Sequence, residues 1–246
     1  MGAFLMFCFG CAPSESIIQT AIAKTALSEP TKTQTPTTTP TLAPTLTLTP
    51  SITPSPTPDL RIINDDPQLF LLKANELPLD AKYFLPNSTW TSPHTNAEVV
   101  SNWTVKKGQE YIQRTGREMG WWVSYLRGTK NVIAPDEINI SAIRFNRHAG
   151  AMLLISDYAF SKRYPELGWK IIDKKVTFSD DCNVEEHQQK NSGGDIEVSY
   201  KITCIYRNFA VDVTAYGSQS EVTHEFIEDI VKKVIEKLEN ADLVSP

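Results

Sequence analysis

Two neighbouring segments near the C-terminal end of the chain alternate apolar and polar residues with a period of two. The first, residues 196–206, has apolar residues at Ile196, Val198, Tyr200, Ile202, Cys204 and Tyr206 and polar residues at Glu197, Ser199, Lys201 and Thr203. This spacing predicts a β-strand with one buried face. The alternation resumes in residues 209–217, directly after Arg207 and Asn208. We therefore predict a hairpin with Asn208 in the turn, because asparagine tolerates a positive φ.

Apolar residues at helical spacing predict three helical regions. The first begins at the capping box Thr95–Glu98 and ends at Gly116, since glycine tolerates the left-handed conformation that follows a helix. The second covers residues 147–164 and stops before a proline. The third is capped by Ser218 and Glu221 and turns an apolar stripe toward the core. That stripe consists of Val222, Phe226, Ile230, Val234 and Leu238.

Three further segments have the composition of strands: residues 120–127, residues 137–145 and residues 174–181. Helices and strands are mixed, hairpins imply antiparallel pairing, and repeated βαβ units are absent from the pattern. The sequence therefore predicts an α+β fold, in which a twisted antiparallel sheet packs with about three helices.

The first residues have a different character. Residues 1–12 contain a short apolar stretch that ends at Gly10 and Cys11, and this stretch resembles a bacterial lipobox, in which the cysteine is lipidated. Cys8 departs from the pattern, because an aliphatic residue is usual at that position. We expect the remnant of a lipoprotein leader, with Cys11 as the lipidated first residue of the mature chain. The alternative is a disordered apolar end on a cytosolic protein.

A tract rich in Thr, Pro and Ser follows over residues 13–60. Eight of the sixteen prolines lie between Pro30 and Pro58, and the tract has no aromatic residue. Such a segment cannot build a core and favours extended conformations. We predict a disordered tether that holds one globular domain, residues 61–246, away from a surface; an O-glycosylated stalk is the alternative.

Charge argues against nucleic acid as a partner. The net charge is −5, and Lys and Arg are mixed with Asp and Glu throughout residues 60–246. Binding to a nucleic-acid backbone needs clustered positive charge, because affinity comes largely from counterion release. The expected partners are the membrane, through Cys11, and an envelope protein or a small-molecule ligand.

The cysteines and histidines offer little chemistry. In an exported protein, Cys182 and Cys204 are expected to form a disulfide, and two buried thiols are the alternative. The four histidines have no metal-ligand spacing. Five charged or titratable residues in residues 180–187 are interpreted as a solvated acidic loop rather than a cation site. Motifs for a catalytic serine, a redox CxxC pair or a phosphate loop are absent, so we expect no cofactor, metal or catalytic residue.

Adjacent tryptophans give one candidate binding feature. Trp121 and Trp122 lie on a predicted strand and must point to opposite faces. Trp121 belongs to the expected core face, whereas Trp122 is free to line a groove. Arg117 and Arg127 are close enough along the chain to bring positive charge toward a bound anion or carbohydrate. The alternative is a core aromatic residue with surface arginines.

Several of these segments together resemble a known group of proteins. The stretches "YIQRTGREMGWWVSYLRGT", "HAGAMLLISDY", "YPELGW" and "YRNFAVDVTAYG", with the leader and the tether, look like uncharacterised lipoproteins of Chloroflexota. More distantly, the order of elements is similar to PsbP-like and LpqN-like extracytoplasmic domains. The resemblance covers about residues 66–240. It implies an extracytoplasmic location and a helix-covered antiparallel sheet, and it carries over no catalytic residues.

The sequence thus favours a non-catalytic, lipid-anchored extracytoplasmic domain that binds a partner protein or a small ligand at the cell envelope. The first alternative is an envelope hydrolase without a recognisable motif. The second is a purely structural role in envelope spacing. A deep cleft with a pair of titratable groups whose pKa values are pushed apart would favour the hydrolase.

Overall fold

A computed structural model describes residues 61–79, 83–129 and 132–245. The expected leader, the expected tether and Cys11 lie outside the described residues. Within the described part of the chain, no helix combines the length and the apolar character needed to cross a membrane.

The described residues form ten strands, most of them in one sheet. The strands are β1 (Ile62–Ile63), β2 (Phe84–Pro86), β3 (Ser92–His94), β4 (Arg117–Arg127), β5 (Glu137–Phe145), β6 (Lys170–Ile171), β7 (Cys182–Lys190), β8 (Ile196–Tyr206), β9 (Phe209–Ser218) and β10 (Leu243–Val244). The main sheet is antiparallel and twisted, in the order β2-β4-β5-β9-β8-β7-β6, and β3 also pairs with β4. A separate ladder joins β1 to β10. The predicted α+β class and the predicted antiparallel sheet are confirmed.

Five α-helices occur in the described residues where three helical regions were predicted. They are α1 (Asn96–Asn102), α2 (Val105–Thr115), α3 (His148–Ser156), α4 (Phe160–Arg163) and α5 (His224–Glu239). The first region breaks at Trp103, whose backbone is extended, and Thr104 caps the new helix. The second region breaks before Ala159. Each break places an aromatic side chain against Tyr111. The ring centroids of Trp103 and Tyr158 lie 4.8 Å and 4.9 Å from that of Tyr111.

The predicted helix ends are partly correct. Gly116 ends α2 in the left-handed conformation, with φ of 67°, as predicted. The cap of α5 is Thr223, so the predicted cap at Ser218 is wrong. Ser218 and Glu221 do contact each other, since the Glu221 carboxylate accepts from the Ser218 backbone N–H and hydroxyl at 3.1 Å and 2.8 Å. That contact holds the turn before the helix.

The larger core lies between α5 and one face of the sheet. Its central side chains are Ile138, Ile140, Ile202, Val211, Val213, Ile227, Ile230, Val234 and Leu238, all almost fully buried. They come from alternate positions of β5, β8 and β9 and from α5. Ile230, Val234 and Leu238 belong to the predicted stripe, whereas Ile227 does not, and Phe226 of that stripe is only partly buried. Val123 and Tyr125 of β4 join this face, and Trp121 packs against it.

The opposite face of the sheet has two different halves. Its apolar half is covered by α2 and α3, and the buried side chains there include Tyr111, Ile143, Phe145, Leu154, Ile205 and Ala210. Its polar half is also covered. Lys201 and Thr203 are 8% and 2% exposed, so the prediction of one buried face for β8 is wrong. Tertiary contacts bury a polar row that local alternation assigns to solvent.

The β8–β9 hairpin forms where predicted, but its turn differs. Arg207, not Asn208, has the positive φ, of 51°. Asn208 is buried, and its side chain accepts from the Ile63 N–H at 2.8 Å and donates to the carbonyls of Ile63 and Phe145 at 3.0 Å and 2.8 Å. The side chain therefore joins three distant backbone groups, which explains its burial.

The predicted disulfide between Cys182 and Cys204 is present in the structure. The two residues lie directly opposite each other on β7 and β8, with their Cα atoms 4.1 Å apart. Residues 174–181 are not a strand, contrary to prediction, because Thr177 donates its backbone N–H and its hydroxyl to Glu228 of α5.

Candidate ligand-binding cavity

A cavity of about 460 Å³ opens above the polar half of the sheet. Its walls are rich in aromatic side chains: Trp90, His94, Trp103, Trp122, Phe160 and Tyr164. Its floor is polar and is formed by Glu137, Asn139, Ser141, Lys201, Asp212 and Thr214, a set referred to below as the polar floor. The volume lies within the range of small-molecule binding sites. Apolar walls with a few polar groups are also typical of such sites.

Strand register explains how the polar floor assembles. On β5 and β9, Ser141 is paired with Asp212 and Asn139 with Thr214, and Thr214 is in turn paired with Lys201 of β8. Residues directly opposite each other on paired strands point to the same face. Trp122 of β4 lies beside Ser141 in the same row, so it stands at the edge of the floor as a wall.

The charged pair within the polar floor is internally neutralised. Lys201 Nζ lies 3.0 Å from Asp212 Oδ2, and the Thr203 hydroxyl donates to Asp212 Oδ1 at 2.6 Å. Burial acts to raise the pKa of Asp212, but the ammonium of Lys201 and the hydroxyl of Thr203 outweigh it, so the pKa is lowered. Asp212 is therefore a carboxylate at neutral pH, and it is held by two partners.

His94 and Trp122 pack against each other in one wall of the cavity, with ring centroids 4.0 Å apart and ring planes inclined by 37°. Burial, followed by the charge of Arg117, lowers the pKa of His94 to about 4, so the imidazole is neutral at physiological pH. Arg117 Nη2 lies 3.2 Å from His94 Nδ1 and donates to the His94 carbonyl at 2.5 Å. Because arginine can only donate, Nδ1 accepts and the imidazole hydrogen is at Nε2.

Helix α4 covers the opposite side of the cavity, and a carboxylate fixes its position. Glu185 of β7 is fully buried and accepts from the backbone N–H groups of Phe160 and Ser161 at 3.1 Å and 2.7 Å. The interpretation of residues 180–187 as a solvated loop is therefore wrong, because residues 182–187 belong to β7 and Glu185 is buried. Its charge is satisfied by the first residues of the helix that carries Phe160 and Arg163 to the cavity.

Arg163 lines the cavity with its guanidinium among three rings. The centroids of Trp103, Phe160 and Tyr164 lie 5.3 Å, 5.4 Å and 5.5 Å from its Cζ atom. These are cation–π distances. Its Nε is buried and has no hydrogen-bond partner in the described part of the chain.

The three residues proposed from the sequence as a groove occupy different places. Trp122 lines the cavity. Arg117 is buried behind His94, where its Nη1 donates to Asn96 at 2.6 Å. Arg127 pairs with Asp136 and Glu221 and is not among the lining residues. Binding of a ligand by this group stays a prediction.

Of the lining residues, the sequence predicted only Trp122 as part of a groove, and His94 and Arg163 are two of those that it missed. His94 gave no local signal, because its burial depends on pairing of β3 with β4. Arg163 lies in residues 158–169, which contain four aromatic residues. That density of rings around the adjacent cations Lys162 and Arg163 was a usable signal.

The cavity is suited to binding a polar molecule with flat apolar surfaces. Hydroxyl and amide groups on the floor can donate and accept hydrogen bonds, and the rings offer faces for stacking. Within residues 61–79, 83–129 and 132–245, no cluster of three or more His, Cys, Asp or Glu side chains is arranged to hold a metal ion.

No protein-family model matches the chain, and no curated protein matches it. Among solved structures, the fold is similar to the extracellular domain of PknH from Mycobacterium tuberculosis, with a TM-score of 0.48, 14% identity and coverage of 70% of this chain and 94% of that chain. A second similar structure is a STAR-related lipid transfer protein from Xanthomonas axonopodis, with a TM-score of 0.19, 7% identity and coverage of 48% of this chain and 89% of that chain. Both likenesses are too distant to support an argument about function. The resemblance to Chloroflexota lipoproteins and to PsbP-like and LpqN-like domains stays a prediction.

Proposed function

We propose that this protein is a non-catalytic extracytoplasmic domain that binds a small polar ligand in the aromatic-walled cavity. A lipid on Cys11 would hold it at the membrane of the cell envelope, and residues 13–60 would set its distance from that membrane. The observation that carries the proposal is the combination of ring faces with the polar floor in one cavity of about 460 Å³.

Two of the titratable groups that line the cavity, Asp212 and His94, are arranged in a way that supports binding rather than hydrolysis. A general base needs a free acceptor atom within reach of the reacting proton. Asp212 is occupied by Lys201 and Thr203, and His94 Nδ1 is occupied by Arg117. The pKa of Asp212 is lowered rather than raised, so this carboxyl is a poor general acid at neutral pH.

The disulfide supports the proposed location. Bonds between cysteines form and persist in oxidising compartments and are rare in the cytosol. Cys182 and Cys204 form such a bond in this domain. The lipobox-like stretch before Cys11 is consistent with export, and it is the basis for the proposed anchor.

Native mass spectrometry of the full chain from an exporting host tests ligand binding. We expect mass that is present under native conditions and lost on denaturation. In Trp90→Ala, which removes a half-exposed wall of the cavity, the retained mass should fall. Ile133→Ala removes an exposed apolar side chain that is not among the lining residues and should change nothing. A bare protein in every preparation would instead favour a protein partner or a structural role.

Metabolic labelling with a lipid precursor tests the anchor. We expect label in the wild-type protein and in Cys8→Ser, and no label in Cys11→Ser. Cys8 is the matched control, because it is the same residue type three positions away. An unlabelled wild-type protein, or label that survives Cys11→Ser, would contradict the proposed anchor.

A further inference from the structure

Arg163 differs from Arg117, Arg127 and Arg144 in what its N–H groups contact. Arg117 donates to Asn96 and to the His94 carbonyl. Arg127 pairs with two carboxylates, and Arg144 pairs with Glu118. In the described residues, no carboxylate lies within ion-pair distance of Arg163, and its buried Nε lacks an acceptor.

Aromatic rings hold the charge of Arg163 without satisfying its hydrogen bonds. Trp103, Phe160 and Tyr164 surround the guanidinium at cation–π distances. A guanidinium has five N–H donors in one plane, and leaving such donors unpaired away from water is costly. That cost applies to the buried Nε of Arg163. The terminal N–H groups make no hydrogen bond within the described residues, so they are open to an acceptor in the cavity that Arg163 lines, and their planar geometry matches the two oxygens of a carboxylate.

The charges around the cavity favour a singly charged anion over a dianion. Lys201 is committed to Asp212 at 3.0 Å. Glu137 contributes a further carboxylate to the polar floor. Among the lining residues, Arg163 is the cation without an ion-pair partner in the described part of the chain, so a ligand carboxylate adds one negative charge beside Glu137, whereas a phosphate dianion adds two and is opposed more strongly.

The remainder of the cavity matches a sugar ring. His94 and Trp122 offer ring surfaces on one wall, with their centroids 4.0 Å apart and their planes inclined by 37° to each other. Ser141, Thr214 and Asn139 of the polar floor can donate and accept hydrogen bonds. A pyranose has C–H groups on its faces, which pack against aromatic rings, and hydroxyl groups around its edge, which hydrogen-bond to such a floor.

We infer that the cavity binds a sugar acid, with the ligand carboxylate on Arg163 and the sugar ring against the aromatic walls. This inference rests on the proposed function, and it names the chemical class of the ligand. The sugar acid is either a free monosaccharide or one residue of a glycan, and both present the same ring and carboxylate.

NMR of the full chain labelled with ¹⁵N at the tryptophan indoles tests the inference. The probes are D-glucuronate, D-glucose and D-glucosamine, which share a pyranose ring and carry a negative, a zero and a positive charge. We expect D-glucuronate to shift the indole signals of Trp103 and Trp122 and to leave Trp121, which packs against the larger core, unchanged. It should bind roughly tenfold or more tighter than D-glucose, as a charge-assisted hydrogen bond predicts.

Substitutions assign the preference to Arg163. Arg163→Gln should reduce D-glucuronate binding to the level of D-glucose, and Arg163→Lys, which keeps the charge, should retain part of the preference. Arg114→Gln is the matched control, because Arg114 also lies over a tyrosine ring but is half-exposed and pairs with Asp157. That control should bind as the wild type does. The unchanged Trp121 signal reports that each variant is folded.

Three results would overturn the inference: equal binding of D-glucuronate and D-glucose, a preference that survives Arg163→Gln, or no shift with D-glucuronate. In each case, a small molecule retained in native mass spectrometry would leave the proposed function standing. Methyl β-D-glucuronide separates the two sources of a sugar acid. Binding equal to that of D-glucuronate assigns the site to a glycan residue, and weaker binding assigns it to the free sugar.

Discussion

Removing the Cys182–Cys204 disulfide should reduce the stability of the domain by an amount that follows from its loop length. The bond joins residues separated by 22 positions. A loop of that size gives a loop-closure entropy of roughly 11 cal/mol/K, or about 3 kcal/mol at 25 °C. The two residues are register partners on β7 and β8, so the ladder keeps them close in the folded state without the bond.

The variant that tests this is Cys182→Ser with Cys204→Ala. Serine suits the partly exposed position, and alanine avoids burying a hydroxyl at the fully buried one. We expect urea unfolding to give a loss of about 3 kcal/mol, with a small addition for the truncated sulfur. For a domain of this size, the melting temperature should fall by about 6–12 °C.

A reductant provides the control. It should destabilise the wild-type protein by nearly the same amount and should have no effect on the double variant. A difference of less than about 1 kcal/mol between oxidised and reduced protein would refute the loop-entropy reasoning. It would mean that the unfolded chain already keeps the two strand ends close without the bond.

Three other substitutions test the fold and the cavity by urea unfolding. Asn208→Ala leaves three buried backbone groups without partners and should cost roughly 3 kcal/mol or more; a loss below about 1 kcal/mol would show that water replaces the amide. Gly150→Ala places a Cβ atom 1.7 Å from the Thr115 carbonyl oxygen, so α3 must move away from the end of α2, and we expect a loss of more than roughly 2 kcal/mol; an unchanged midpoint would contradict this contact. Asp212→Asn should cost about 3 kcal/mol at neutral pH, because Lys201 loses its charged partner. Since the folded pKa of Asp212 lies below its ordinary value of 3.8, this stabilisation is complete above that pH and disappears as the pH falls through the folded pKa, so wild type and variant should converge in acid. A difference that stays constant down to pH 2 would argue against the lowered pKa of Asp212.

The sequence alone determined the class of the fold and its principal strands. The predicted bounds of β5 and β8 match the structure, and β9 begins where its alternation begins. These strands were readable because period-two alternation is a local property, fixed by the geometry of an extended chain. Most of the apolar stripe of α5 and the cysteine pair could be predicted for a similar reason, because both predictions depend on residue type and spacing.

Tertiary structure decided where helices break and which polar residues are buried. The two helix breaks depend on the packing of Trp103 and Tyr158 against Tyr111, which local spacing does not reveal. Asn208 is buried because it bonds to Ile63, which lies 145 positions away in the sequence. A local pattern cannot report a partner that only folding brings close.

The candidate cavity was decided almost entirely by tertiary structure. Its floor exists because three strands align polar residues on a face that α4 then covers, and α4 is positioned by Glu185 from a distant strand. Trp122 was identified from the sequence because adjacent residues of a strand must point to opposite faces. Arg163 was not identified, although the four aromatic residues in residues 158–169 gave a local signal. That its Nε has no acceptor within the described residues is a property of the assembled site.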